Sequence, residues 1–188
     1  MKVLRADNHR RMPWKNGGGE TLEVAVFPAD AGIGTFDWRV SMAVVASDGP
    51  FSAFPGIDRT LVLLDGDGML LDIAGRAPVS LTSRSEPCAF PADVATSATL
   101  VGGAITDLNV MTARGRLTHA VERFDGARNV AAGPYETLLL LGDGLIVESM
   151  GDAIALGPRD VVLVDAGERA RAIPAGERGL LVTIGPAR

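Results

Sequence analysis

Apolar and polar side chains alternate along much of this chain with the period of two that a half-buried strand needs, and the longer apolar stretches are short runs between turns. Leu22, Val24 and Val26 alternate with Thr21, Glu23 and Ala25, so a strand is expected there. Residues 28–35 read as a turn and residues 36–45 as a second strand, with Trp38, Val40, Met42 and Val44 on one face and Arg39 and Ser41 on the other. The polar face of so clean an alternation normally meets solvent; the interior of a barrel is the alternative. Two turn segments rich in Pro and Gly follow at 48–52 and 54–59, which sets Arg59 at the mouth of the apolar run 60–64. Asp65-Gly66-Asp67-Gly68 is then expected to close a hairpin onto residues 69–73, because Asp-Gly supplies the positive φ angles of a two-residue turn. It also looks like a fragment of a calcium loop, but the remaining ligands of such a loop, ending in a glutamate, are absent.

Residues 77–103 are polar and turn-rich, with one apolar cluster near Cys88 to Phe90. A strand over 104–111 comes next and sets Ile105, Asp107, Asn109 and Met111 on one face. An acid and an amide two residues apart there can orient a ligand or support the strand itself. Residues 112–133 are basic and small and read as the connection into a second half. That half echoes the first: Thr60-Leu61-Val62-Leu63-Leu64-Asp65-Gly66-Asp67-Gly68 returns as Thr137-Leu138-Leu139-Leu140-Leu141-Gly142-Asp143-Gly144. The repeat predicts an all-β chain of two similar barrels or sandwiches, over residues 1–114 and 115–188, joined by a few short helices at most. Candidate polar ligands are sparse in the second copy, so the chemistry is expected in the first and a structural role in the second.

Composition sharpens this picture. A chain of 188 residues with 47% hydrophobic content can bury a real core, and 23 Gly and 11 Pro favour many tight turns. A net charge of -5 with no basic cluster speaks against nucleic acid or an anionic membrane as partner. One cysteine, Cys88, forms no internal disulfide, and the start of the chain carries no apolar signal segment, so a cytoplasmic location is expected.

One stretch is not explained by folding needs. In Met12-Pro13-Trp14-Lys15-Asn16-Gly17-Gly18-Gly19-Glu20-Thr21, three glycines open the backbone to left-handed conformations and close approach, beside an aromatic face, a charge and an amide. A plain surface turn is the alternative. A metal centre is poorly supplied, since His9 and His119 are the two histidines and lie far apart, with no His-x-His pair. Nor does Cys88 have a neighbouring histidine, and no serine sits in a Gly-x-Ser-x-Gly elbow. No cofactor is expected. General acid-base work by Glu20, Asp58 or Asp107 stays open.

Five ordered motifs carry a family resemblance. Pro13-Trp14-Lys15-Asn16-Gly17-Gly18-Gly19-Glu20-Thr21, Trp38-Arg39-Val40-Ser41, Asp48-Gly49-Pro50-Phe51-Ser52, Phe54-Pro55-Gly56-Ile57-Asp58-Arg59 and Asp107-Leu108-Asn109-Val110-Met111 together resemble the HutD/Ves family. The resemblance implies tandem cupin-like barrels (a bicupin) lacking the usual metal ligands, and an association with histidine utilisation. It also implies binding of an acidic intermediate of that pathway, such as formiminoglutamate, with moderation of its flux. A carboxylate ligand calls for a guanidinium fork plus orienting amides and hydroxyls. The expected site is Lys15, Asn16, Thr21, Arg39, Ser41 and Arg59, with Trp14 as a wall and Asp107 and Asn109 facing an amino or formimino group or bracing Arg59. Structural ion pairs of Arg39 and Arg59 with Asp37, Asp58 or Asp107 are the competing reading. The expected partner is a small acidic metabolite, with a homodimer left open; an enzyme on the same scaffold, a hydrolase or isomerase of a small carboxylic acid, is the alternative function.

Overall fold

The computed structural model describes residues 1–14, 17–175 and 178–187. The chain is all-β: among the described residues the helical content is one 3-10 turn, Ala6–Asn8, and no helix is long and apolar enough to cross a membrane. It divides into two compact units, Arg10–Arg116 and Met1–His9 with Leu117–Arg188. The first nine residues, read from sequence as part of the first half, thus belong with the second. The reason is a strand pairing too short to see in the pattern: β1 (Lys2–Leu4) lies antiparallel to β17 (Val161–Val164).

In the unit over residues 10–116 the strands are β2 (Arg10–Pro13), β3 (Gly19–Phe27), β4 (Trp38–Val45), β5 (Gly49–Pro50), β6 (Ile57–Asp65), β7 (Met69–Ile73), β8 (Val79–Leu81), β9 (Cys88–Pro91), β10 (Thr96–Leu100) and β11 (Ile105–Ala113). They form a six-stranded sheet in the order β2-β3-β4-β11-β6-β9 and a four-stranded one in the order β5-β10-β7-β8. Between the sheets lies a core of Ala43, Val45, Leu61, Leu63 and Ile105 from the larger and Met69, Leu71, Ile73, Leu81 and Ala98 from the smaller. The other unit adds β12 (Leu117–Phe124), β13 (Arg128–Ala131), β14 (Thr137–Leu141), β15 (Ile146–Ser149), β16 (Asp152–Ala155), β18 (Arg169–Ile173) and β19 (Gly179–Pro186) to β1 and β17. Its sheets run β1-β17-β14-β19-β12 and β13-β18-β15-β16, with Leu138, Leu140, Val162, Val164 and Leu181 packed against Val130, Val147, Ala170 and Ala172. In both units the sheets stay open, facing one another, and do not close into the barrels expected.

The echoed sequence has a different job from the one its turn residues suggest. β7 pairs with β8 and β10, not with β6, so Asp65-Gly66-Asp67-Gly68 carries the chain from one sheet across to the other. β14 and β15 are likewise in different sheets. A corner wins over a hairpin because it puts Leu63 and Met69 into the same core from opposite walls. Gly66, at φ 101°, also needs to be glycine for space, since a Cβ there would come within 2.9 Å of the Ala104 carbonyl and 2.7 Å of Ile105 Cγ2.

Two stretches held more order than their composition suggested. Residues 112–133, expected to be a connection, contain β12 and β13; β12 is an edge strand, and an edge tolerates Arg, Glu and His that mask its alternation. The turn-rich stretch 77–103 holds β8, β9 and β10, each of three to five residues.

Candidate functional site

β11 runs down the middle of the six-stranded sheet between β4 and β6, and its register decides which side chains meet. Asp107 stands opposite Ala43 and Leu63, Asn109 opposite Ser41 and Leu61, and Met111 opposite Arg39 and Arg59. Thr21 and Glu23 of β3 lie beside Ala43 and Ser41. With side chains alternating along each strand, these groups share the face turned toward the smaller sheet. That polar face does not meet solvent. Arg39 is 4% exposed, Ser41 2%, Arg59 3%, Asp107 1% and Asn109 8%. A cavity of about 540 Å³ opens in front of them, its wall including Trp14, Thr21, Arg39, Ser41, Arg59, Asp107 and Asn109. Seven of the nine residues expected from sequence therefore surround one space. Lys15 and Asn16 lie outside the described residues.

Arg59 is held in an unusual way. Its guanidinium carbon lies 5.4 Å from the ring centre of Phe51, 5.3 Å from Phe54 and 5.8 Å from Phe90. Nη2 donates to the Ser52 carbonyl at 3.2 Å and approaches Met111 Sδ at 3.7 Å, while the buried Nε has no partner. No carboxylate among the described residues forms an ion pair with it. Burial pulls its pKa down to about 10, with Asp107 opposing and Arg39 assisting, so it remains a cation at neutral pH. Rings on three sides desolvate the plane and hold it, a preorganised cation with no carboxylate in ion-pair contact.

Arg39 is anchored instead. Its Nε donates to Glu23 Oε2 at 2.7 Å, leaving a buried Nη2 without a partner. The ion pairs weighed from sequence are absent, because Asp37 pairs with Arg116 and Asp58 with Arg114, each at 2.7 Å. Asp107 accepts from Asn109 Nδ2 at 2.6 Å through Oδ1, and its buried Oδ2 has no partner. Burial pushes its pKa up to about 7; the charge of Arg59, the Asn109 amide and the Ala43 backbone N–H act the other way. Three unpartnered buried polar atoms, Arg39 Nη2, Arg59 Nε and Asp107 Oδ2, thus belong to residues lining one cavity, where buried polar groups otherwise find partners.

The residues flanking the glycine run, Pro13, Trp14 and Thr21, line the cavity. Trp14 lines the cavity, donates Nε1–H to Thr21 Oγ1 at 2.9 Å, and its backbone N–H reaches the Gly19 carbonyl at 2.9 Å. Gly17 takes φ 71°, as a glycine turn allows. Gly19 serves close approach of the protein to itself: a Cβ there would sit 2.2 Å from the Val44 carbonyl oxygen and 3.2 Å from the Trp14 ring. Gly19→Ala should destabilise the protein by about 1–3 kcal/mol in a denaturant melt; a change below about 0.5 kcal/mol would contradict this packing.

Similarity to known proteins agrees with the motif order. The HutD family model matches residues 6–182. The chain belongs to the HutD family. It is 35% identical over 150 residues to an uncharacterized 21.2 kDa protein in the hutC 3′ region of Pseudomonas putida, covering 80% of this chain and 78% of that one. Protein Ves of Citrobacter koseri is 36% identical over 152 residues, covering 76% and 78%. The structure of HutD from Pseudomonas fluorescens SBW25 superposes with a TM-score of 0.84 at 29% identity, covering 100% of this chain and 99% of that one. A cupin 2 conserved barrel domain protein from Leptotrichia buccalis, at 10% identity, TM-score 0.57 and coverage of 89% and 88%, shares the fold and makes it cupin-like.

In this HutD-family chain both histidines fall in the other unit, His9 before β2 and His119 on β12, and no cluster of three metal-binding side chains occurs among the described residues. Sequence reasoning missed Glu23 and the rings of Phe51, Phe54 and Phe90. The alternation Thr21, Glu23 put Glu23 on the site face, a signal that was legible once Thr21 was chosen. Phe51 and Phe54 come from the loop between β5 and β6 and Phe90 from β9, and only the fold brings Phe90 to Arg59.

Proposed function

We propose that this cavity binds a small acidic metabolite without a metal, an intermediate of histidine degradation such as formiminoglutamate, and that binding moderates histidine utilisation in the cytoplasm. The observation that carries the reading is Arg59, a buried cation with no carboxylate in ion-pair contact, facing a cavity of metabolite size. A ligand carboxylate would supply that contact and receive N–H donors from the fork. Asp107 Oδ2 then takes the formimino N–H, with Trp14 and Phe51 along the methylene chain. The pathway comes from kinship: one relative is named for the hutC 3′ region and another is HutD. The two units, each with a larger and a smaller sheet and a corner after its Thr-Leu strand, are read as a tandem cupin-like repeat, a bicupin.

One observation favours a second reading as an enzyme on the same scaffold. Asp107, with a pKa near 7 at the cavity wall, can give or take a proton at neutral pH. Titrating the purified protein with formiminoglutamate, glutamate and glutarate while following heat, melting temperature and ligand concentration separates the readings. Saturable binding that raises the melting temperature with no ligand consumed is the expected result. Catalytic loss of ligand would move the assignment to the enzyme, and no response to any carboxylate would remove the binding function.

A further inference from the structure

We propose that the site takes a carboxylate only together with a positive charge at Asp107 Oδ2: the ligand's own N–H cation where it has one, and a proton from solvent where it has none. This rests on the binding function above and adds a rule for the class of ligand accepted. The argument starts from the inventory of charges around Asp107. From β4 Arg39 lines the same cavity, already committed through Nε to Glu23 of β3; from β6 comes Arg59; and Asp48, before β5, also lines it but accepts the Leu100 N–H at 2.7 Å through Oδ1. In the empty site, the Arg59 charge is the main influence that opposes burial and favours the ionised form of Asp107.

A ligand carboxylate on the guanidinium cancels that influence and adds a negative charge nearby. Asp107, 1% exposed, would then be an anion with neither water nor cation, a state too costly to populate. A proton on Oδ2 removes the charge and turns an unpartnered acceptor into a donor to the ligand. An amidinium or ammonium end does the same by placing N–H against Oδ2, so no proton is taken up. Arg39 is poorly placed to substitute, because its charge is already balanced by Glu23.

The test uses titration calorimetry from pH 6.5 to 9 in buffers of different ionisation enthalpy. Two probes are compared: glutarate, which has no cationic end, and formiminoglutamate, which has one. Glutarate affinity should fall about tenfold per pH unit above pH 7, with close to one proton taken up per ligand at pH 8. Formiminoglutamate should bind with no proton uptake, with little pH dependence above about pH 8 and with proton release toward pH 6.5. Asp107→Asn should make glutarate binding flat in pH and weaken formiminoglutamate. Glutarate binding that is flat in the wild type, or free of proton uptake, overturns the proposal while leaving the binding function intact. So does refusal of glutarate at pH 6.5 by protein that takes formiminoglutamate. If neither probe binds at any pH, the binding function fails and this rule with it.

Discussion

Arg59→Ala is expected to lower affinity for a carboxylate about thirtyfold or more, the loss of a charge-assisted contact worth on the order of 2–4 kcal/mol. The structure adds a complication, since the guanidinium also fills the space among Phe51, Phe54 and Phe90. Some melting temperature should therefore be lost along with affinity, and the two must be measured together. Arg59→Lys separates them. An ammonium keeps the charge but loses the planar pair of donors and the flat contact with the rings, so it should recover little affinity. If calorimetry on folded Arg59→Ala protein gives unchanged affinity for every carboxylate that the wild type binds, Arg59 is a core residue and not a ligand group.

Stability of the empty protein should depend on pH through Asp107. Its pKa rises from the ordinary 3.8 to about 7 on folding, so between those values the folded state holds a proton that the unfolded state has released. The contribution is present in full below about pH 4, declines as pH climbs toward 7, and is gone above that. At full linkage the change is on the order of 4 kcal/mol. Asp107→Asn, which keeps the shape and cannot ionise, should gain on the wild type steadily from pH 4 to 7 and hold a constant advantage at higher pH. Parallel profiles for the two proteins, followed by denaturant midpoints, would show that Asp107 does not carry a buried charge.

Much of the architecture was open to reading because a strand buried on one face writes its period into the sequence. Residues 21–26, 36–45 and 104–111 alternate, and β3, β4 and β11 lie there. The alternation also determined that Arg39 and Ser41 share one face of their strand, and that Asp107, Asn109 and Met111 share one face of theirs. It was silent on which way those faces turn, since a polar face toward water and a polar face toward a cavity look the same along one strand. Edge strands were harder, as β12 shows, because with one neighbour and an exposed side they tolerate almost any composition.

By itself, then, the sequence determined an all-β chain, an internal repeat, membership of a family and a short list of polar residues spaced for one face of a sheet. The tertiary structure alone decided that the Asp-Gly corner crosses between sheets, that β1 joins the second unit, and that Arg59 is caged by three rings while Arg39 is neutralised by Glu23. These outcomes depend on contacts between residues far apart in the chain, whose strength comes from shared burial. A local pattern records how often a side chain is buried; it does not record what it is buried against.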